Sequence, residues 1–303
     1  MAILLCTMQG EPFLEEQLAS LAAQTFRNWR VWASDDGSRD RTVSILETFQ
    51  HAWGQGRLTI LQGPGRGFAA NFLSLATRSD IQAAYYAFAD QDDLWEPGKL
   101  EQALNWLTSV PSDVPALYCG RTRLISETGQ DLGLSPLFSR PASFANALVQ
   151  SIGGGNTMVF NHAARMLVME AGQVDVVTHD WWLYLLVSSC GGTVWYDPEP
   201  RVRYRQHADN LVGSNADWGA RLYRIRMLFE GRFKGWNDRH IQALQGMRHR
   251  MTENSLRVLD VFSAARQETG LIARLAGLRS AGVYRQTVMG NLGLFLAASA
   301  GKV

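Results

Sequence analysis

Three carboxylates crowd into four residues at Asp90-Gln91-Asp92-Asp93, directly after the apolar run Ala83 to Ala89 and before Leu94-Trp95. A run of that length and composition reads as a buried strand, so the acids stand at a strand end. Carboxylates are rarely buried unless paired or bound to a cation, and close neighbours raise one another's pKa. Hard oxygen ligands at this spacing suit Mg²⁺ or Mn²⁺ shared with a phosphate-bearing substrate. The plainer local reading is a polar loop that caps a helix at Asp92 or Asp93.

The preceding residues alternate strand and helix signals. Ile3–Thr7, Trp29–Ala33, Leu58–Leu61 and Ala83–Ala89 read as strands. Helical spacing follows each of them: Glu11–Ala23, the stretch after Asp40, Phe68–Ala76, and a helix opened by Pro97 and running to about Leu107. Four such units predict an α/β fold with a mostly parallel central sheet, helices on both faces, and ligands bound beyond the carboxyl ends of the strands. Asp35, Asp36, Asp90, Asp92 and Asp93 all fall on that edge. After Ala116 the pattern loosens. Leu117–Ile125 reads as one long strand, residues 131–142 as loop, and Thr157–Phe160 and Thr193–Tyr196 as strands. His179-Asp180-Trp181-Trp182 opens an apolar helix to about Ser188, Arg201–His207 is extended and basic, and helices dominate from about Asp217.

With 303 residues, 46% apolar and 19% charged, the chain has room for one sizeable domain plus an appendage. Cys6, Cys119 and Cys190 match neither a zinc spacing nor a disulfide framework and read as small buried hydrophobes in a reducing compartment. Met1–Thr7 lacks the charged start of a secretion signal, and no run of 18 apolar residues predicts a membrane span. Net charge is −7 over residues 1–212 and +8 over 213–303, which points to an acidic partner for the second region. Gly65-Arg66-Gly67-Phe68-Ala69-Ala70 matches a loose dinucleotide fingerprint but follows the third strand, so a tight strand-to-helix turn is the preferred reading.

The combination is more specific than its parts. Leu4-Leu5-Cys6-Thr7, Gln24-Thr25-Phe26, Asp35-Asp36-Gly37-Ser38 and Asp90-Gln91-Asp92-Asp93 resemble, in order and spacing, the family 2 inverting glycosyltransferases of the GT-A fold, over roughly residues 2–215. Asp90 to Trp95, Thr157-Met158-Val159-Phe160-Asn161 and Tyr204-Arg205-Gln206-His207 look most like the bacterial rhamnosyltransferase branch. The resemblance implies a catalytic domain over 1–215, with a nucleotide-binding half 1–115 and an acceptor half 116–215, followed by a basic helical region 216–303. It implies that Asp36 meets the nucleotide base, with Asp35, Thr7, Asp90 and Gln91 in the same pocket. Asp92 would be the direct ligand to Mg²⁺ or Mn²⁺ and His207 a further one. Asp180 would be the catalytic base, preceded by His179 where many relatives carry an acid. Trp181 and Trp182 are candidates for an acceptor wall, and Gly154, Gly155 and Asp93 for contact with the donor sugar; core packing and a flexible turn are the plain alternatives for the tryptophans and glycines. The Gln-x-x-Arg-Trp motif of processive synthases is absent near His207, which favours adding one or a few sugars.

The expected activity is metal-dependent inverting transfer of a sugar to a hydroxyl of a glycan or lipid-linked saccharide in cell-surface polysaccharide synthesis. By resemblance alone the donor is dTDP-L-rhamnose. UDP-glucose or UDP-galactose, a nucleotidyltransferase and a non-catalytic sugar-binding module are the alternatives, and Thr7 to Glu11 lacks the basic residue that a triphosphate loop needs. In residues 218–252, apolar and basic residues interleave amphipathically. That pattern fits peripheral contact with the cytoplasmic face of an anionic membrane, a cap on the catalytic domain, or a second copy of the chain. No nucleic-acid motif accompanies it.

Overall fold

The computed structural model describes residues 1–207 and 232–303. The first half runs β1 (Ala2–Thr7), α1 (Leu14–Ala22), β2 (Arg30–Asp35), α2 (Thr42–Trp53), β3 (Leu58–Gln62), α3 (Phe68–Ala76), β4 (Tyr85–Ala89), the short β5 (Leu94–Trp95) and α4 (Lys99–Leu107). Then come β6 (Ala116–Gly120), β7 (Arg123–Ser126), β8 (Asp131–Leu134), α5 (Phe144–Ala147), β9 (Val159–Asn161), α6 (His162–Ala171), α7 (His179–Ser189), β10 (Thr193–Asp197) and β11 (Val202–Gln206). Four later helices are α8 (Arg232–Gln245), α9 (Glu253–Gln267), α10 (Leu271–Ser280) and α11 (Val288–Ser299).

Among the described residues the main sheet has seven strands in the order β10-β6-β9-β4-β1-β2-β3. β9 alone runs antiparallel to its neighbours β4 and β6; the other pairings are parallel. The mostly parallel sheet is therefore as expected. Strand periodicity explains its two cores. Ala2, Leu4 and Cys6 of β1 face α3, α6 and α7, whereas Ile3 and Leu5 face α1, α2 and α4. Because the first four strands point the same way, their carboxyl ends gather Thr7, Asp35, Asp36 and Asp90 on one rim.

Two expectations are corrected. Leu117–Ile125 is not one strand. It breaks after Gly120, which packs so closely on β10 that an added Cβ would lie 3.3 Å from the Asp197 carbonyl oxygen. The Arg121 and Thr122 amides then donate to the Asp197 carbonyl and to Ser135 Oγ, which turns the chain into a second sheet, β5-β11-β7-β8. Residues 131–134 are strand rather than loop. This wholly exposed edge is held by pairing with β7, a contact that leaves no hydrophobic period to read.

Residues 232–303 do not stand apart. Phe233, Leu244, Met247, Leu259 and Phe262 share one core with Trp181 and Trp182 of α7. Residues 218–231 of the basic amphipathic stretch, and the boundary expected near 215, lie outside the described residues. No helix among the described residues is long and apolar enough to cross a membrane. His240 marks the junction: its ring sits 4.6 Å from that of Trp181, and its Nε2 accepts from the Val177 amide at 3.4 Å.

Burial, helped by Arg239, pushes the His240 imidazole down to about 3. Between there and the ordinary value near 6.5, the unfolded chain takes up a proton that the folded chain refuses. Stability therefore rises with pH through this window and is lost on acidification. We expect urea unfolding at pH 5 to show a loss of roughly 2 kcal/mol per such histidine relative to pH 7. His240→Gln should flatten the slope; an unchanged slope would mean that His240 does not cause it.

Candidate active site

β4 delivers the acid cluster to the rim, and each carboxylate meets a different fate there. Asp93 turns inward and is fully buried. One of its oxygens accepts from Asn156 Nδ2 at 2.5 Å and the other from the Arg205 amide at 3.1 Å. The expectation that Asp93 touches a sugar is thus corrected: it is a tie between loops. The Asp92 side chain keeps 19% of its surface exposed, and its Oδ2 lies 2.9 Å from His207 Nε2 at the end of β11, 115 residues away in sequence. Phe13 backs that imidazole, ring centroids 5.0 Å apart. Burial, followed by the charges of Asp92 and Asp180, pushes Asp90 up to about 8. The rim is therefore short of positive charge.

Gln91 has a structural task as well. Its Oε1 accepts from the Met8 amide at 2.8 Å and its Nε2 donates to the Met8 carbonyl at 2.9 Å, which staples the acid loop to the turn after β1. Gly10 lies against this side chain so closely that a Cβ would fall 2.5 Å from Oε1. One Nε2 hydrogen and one Oε1 lone pair of Gln91 remain beyond this pairing with Met8.

On the nucleotide side, Thr7 Oγ1 donates to Asp35 Oδ1 at 2.9 Å, and both residues are buried. The Asp35 carboxylate also accepts from the Gly37 and Ser38 amides and from Ser38 Oγ, forming the tight turn. Asp36 projects instead toward the glycine turn before α3. Its oxygens accept from the Gly65 and Gly67 amides at 2.7 and 2.8 Å. Gly65 and Gly67 have φ of 64° and 86°, the left-handed region that favours glycine. The turn at Gly65–Ala70 is thus a strand-to-helix connection fastened by Asp36.

The opposite wall is the start of α7. Thr178 caps the helix, accepting from the Trp181 amide, and Asp180 lies in its first turn. Asp180 Oδ2 accepts from the Gly155 amide at 3.0 Å and its Oδ1 from the Trp181 amide at 2.6 Å. Gly155 is required here, because a Cβ would collide with the Nε2 of His179; Gly154 beside it is exposed. His179 itself is buried and stacked on Phe72, centroids 3.8 Å apart, and burial pushes its imidazole down to about 4 against the pull of Asp180. It holds the helix start in place as a neutral aromatic ring. Trp181 and Trp182 are 6% and 0% exposed. Trp181 Nε1 donates to the Ala147 carbonyl, so the indoles are core and the expected acceptor wall is corrected.

Sequence reasoning missed three supports. Arg205, 2% exposed, donates from Nε to the Asp92 carbonyl, from Nη1 to the Glu127 carbonyl and from Nη2 to Glu16, with its guanidinium over the Phe13 ring. Asn156 anchors Asp93. Lys99 is fully buried 3.2 Å from the Trp95 ring centroid, and no hydrogen-bond partner for its Nζ occurs among the described residues. Burial pulls the Lys99 ammonium well below its ordinary range, against the opposing pull of Asp93 and Asp90. The only local signal was the alternation of Arg and apolar residues around Arg205.

The sequence of residues 2–170 matches the family model described as glycosyl transferase family 2. The chain belongs to that family. Among curated proteins it is 28% identical over 233 residues to a dTDP-rhamnosyl transferase, RfbG, of Shigella flexneri, covering 74% of this chain and 78% of that one. It is 22% identical over 267 residues to an uncharacterized glycosyltransferase of Rickettsia typhi, covering 82% and 76%. Among solved structures, S. aureus TarS 1-349 in complex with UDP-GlcNAc superposes with a TM-score of 0.56 at 13% identity, covering 93% of this chain and 92% of that one. A mannosyltransferase from Pyrobaculum calidifontis in complex with GDP-Man and Mn²⁺ does so with a TM-score of 0.53 at 19%, covering 99% and 86%. The family 2 chain therefore has the GT-A architecture and is a glycosyltransferase.

Among the described residues no cluster of three or more His, Cys, Asp or Glu side chains is assembled as a metal cage. The Asp92–His207 pair still suits a hard cation that keeps water and phosphate oxygens for its other positions. Arg205→Met should uncouple the family 2 acid loop from β11. We expect a loss of about 2 kcal/mol in urea unfolding, since the Asp92 and Glu127 carbonyls and the Glu16 carboxylate lose their charged donor. A loss below about 0.5 kcal/mol would show that the loop holds without Arg205.

Proposed function

We propose that this chain is a divalent-cation-dependent inverting transferase that moves L-rhamnose from dTDP-L-rhamnose to a hydroxyl of a glycan or lipid-linked saccharide. One observation carries the reading: Asp92 and His207 meet at 2.9 Å on the rim where burial and then neighbouring acids raise Asp90. The similarity to the Shigella dTDP-rhamnosyl transferase over most of both chains supports the donor. The same comparison leaves UDP-sugars open, because a UDP-Glc-dependent glucosyltransferase of Escherichia coli is 26% identical over 107 residues. The Mn²⁺ and GDP-Man in the mannosyltransferase complex support a metal and a nucleotide-sugar in this fold.

The donor would lie along the rim, its nucleoside toward Thr7, Asp35 and Asp36 and its diphosphate toward Asp92 and His207. Mg²⁺ or Mn²⁺ held by Asp92 and His207 would offset the negative charge that grows on the departing diphosphate. The charge of Asp180 is among those that raise Asp90, after burial and Asp92. The acceptor oxygen attacks the anomeric carbon from the side opposite the diphosphate. Asp180 takes the hydroxyl proton, the bond to the diphosphate breaks, and the configuration inverts. The Gly155 and Trp181 amides fix the carboxylate that receives the proton.

Asp180→Asn keeps an oxygen for the Gly155 amide but removes the proton acceptor. Transfer should fall on the order of a thousandfold with donor binding unchanged in calorimetry; near-normal turnover would remove Asp180 from the base role. A thermal-shift panel with Mg²⁺ or Mn²⁺ tests the donor. At a hundredfold excess over Kd, dTDP-rhamnose should stabilise by about 2.7 kcal/mol, and UDP-glucose and UDP-galactose far less. Equal shifts would overturn the rhamnose assignment, and Asp92→Ala should abolish the metal dependence of the shift.

A further inference from the structure

Helix α11 presents two apolar sides. Leu294, Ala297 and Ala298 face the core, while Val288, Met289, Leu292, Phe295 and Leu296 are 78%, 75%, 52%, 39% and 63% exposed. The outward residues recur at helical spacing on one side, and none of the helix's 12 residues is charged. Ile272, 84% exposed, stands at the start of α10. Arg274 ties that start to the far end of α11 by donating to the Ala298 carbonyl at 2.8 Å. A single exposed apolar side chain is ordinary; a contiguous stripe along one helix marks a contact surface.

Charge decides between occupants. Residues 269–303 contain Arg274, Arg279, Arg285 and Lys302 and no acidic residue. A second copy docked two-fold on this face would set two such net-positive stretches against each other. Anionic headgroups would complement them. A helix of this length is about 18 Å long, short of a hydrocarbon core of about 30 Å, so it can lie in a bilayer surface but cannot span it.

We propose that the outer side of α11 docks in the interfacial layer of an anionic phospholipid membrane. The segment leading into the helix connects it to the cleft. Tyr284 and Gln286 bond to Ser143, Asn146 and Arg140 around α5, from which the chain runs on to the Gly153–Gly155 turn beneath Asp180. Docking would hold the acceptor side of the protein against lipid. This surface is separate from the rim of acids and goes beyond the donor chemistry proposed above.

The test is flotation of the full chain with vesicles of phosphatidylglycerol and phosphatidylcholine, and with phosphatidylcholine alone. The chain should float with the anionic vesicles, less so as salt rises, and Leu292→Gln/Leu296→Gln should lower the bound fraction about tenfold. Both side chains are exposed, so the variant should fold, and its thermal shift with nucleotide-sugar should match the parent's. That second readout separates failure of the docking surface from failure of the donor reading. No flotation with anionic vesicles, equal flotation of the variant, or a dimer in light scattering that these substitutions disperse would each overturn the proposal.

Discussion

Crowding of negative charge at the end of β4 is the constraint on which the site depends. Three carboxylates in four residues cannot all face one another in a partly dry rim without compensation. The fold supplies it in layers. Asp93 is drawn inward to Asn156 and the Arg205 amide. Asp92 is turned outward to His207. Asp90 is pushed up to about 8 by burial and then by the charges of Asp92 and Asp180. Inward acids thus hold the loop, and outward ones present it with a deficit that a cation is suited to fill.

Arg205 links this electrostatic arrangement to the tertiary fold. It joins the second sheet to the acid loop, so the strand that carries His207 and the loop that carries Asp92 are positioned by the same side chain. The glycines serve a parallel purpose on the other wall. Gly155 lets the start of α7 approach until its amide meets Asp180, and Gly65 and Gly67 let their amides reach Asp36. Close backbone approach is the common device, and it explains why glycine-rich turns border the cleft without forming a dinucleotide fingerprint.

The expectations drawn from sequence differ in outcome for a physical reason. The strand-helix units through Leu107 were legible because each has a local period, and α3 occupies Phe68–Ala76 as read. The break after Gly120 and the exposed strand at 131–134 were not legible, because they depend on contacts with β10 and β7. Trp181 and Trp182 follow Asp180 in sequence, yet a helix turns successive residues about 100° apart, and α7 is surrounded by the core and by α8. Adjacency to a site residue along a buried helix therefore says little about access to the site.

By itself the amino-acid order determined the α/β class, the parallel run of the first strands and the delivery of Asp35, Asp36 and Asp90 to their carboxyl ends, because strand and helix periods are local properties of the chain. Only the tertiary structure decided which acids face outward, that Gln91 staples Met8, and that His207 returns to Asp92 from 115 residues away. Those choices depend on hydrogen bonds and burial between distant segments, which no local period encodes.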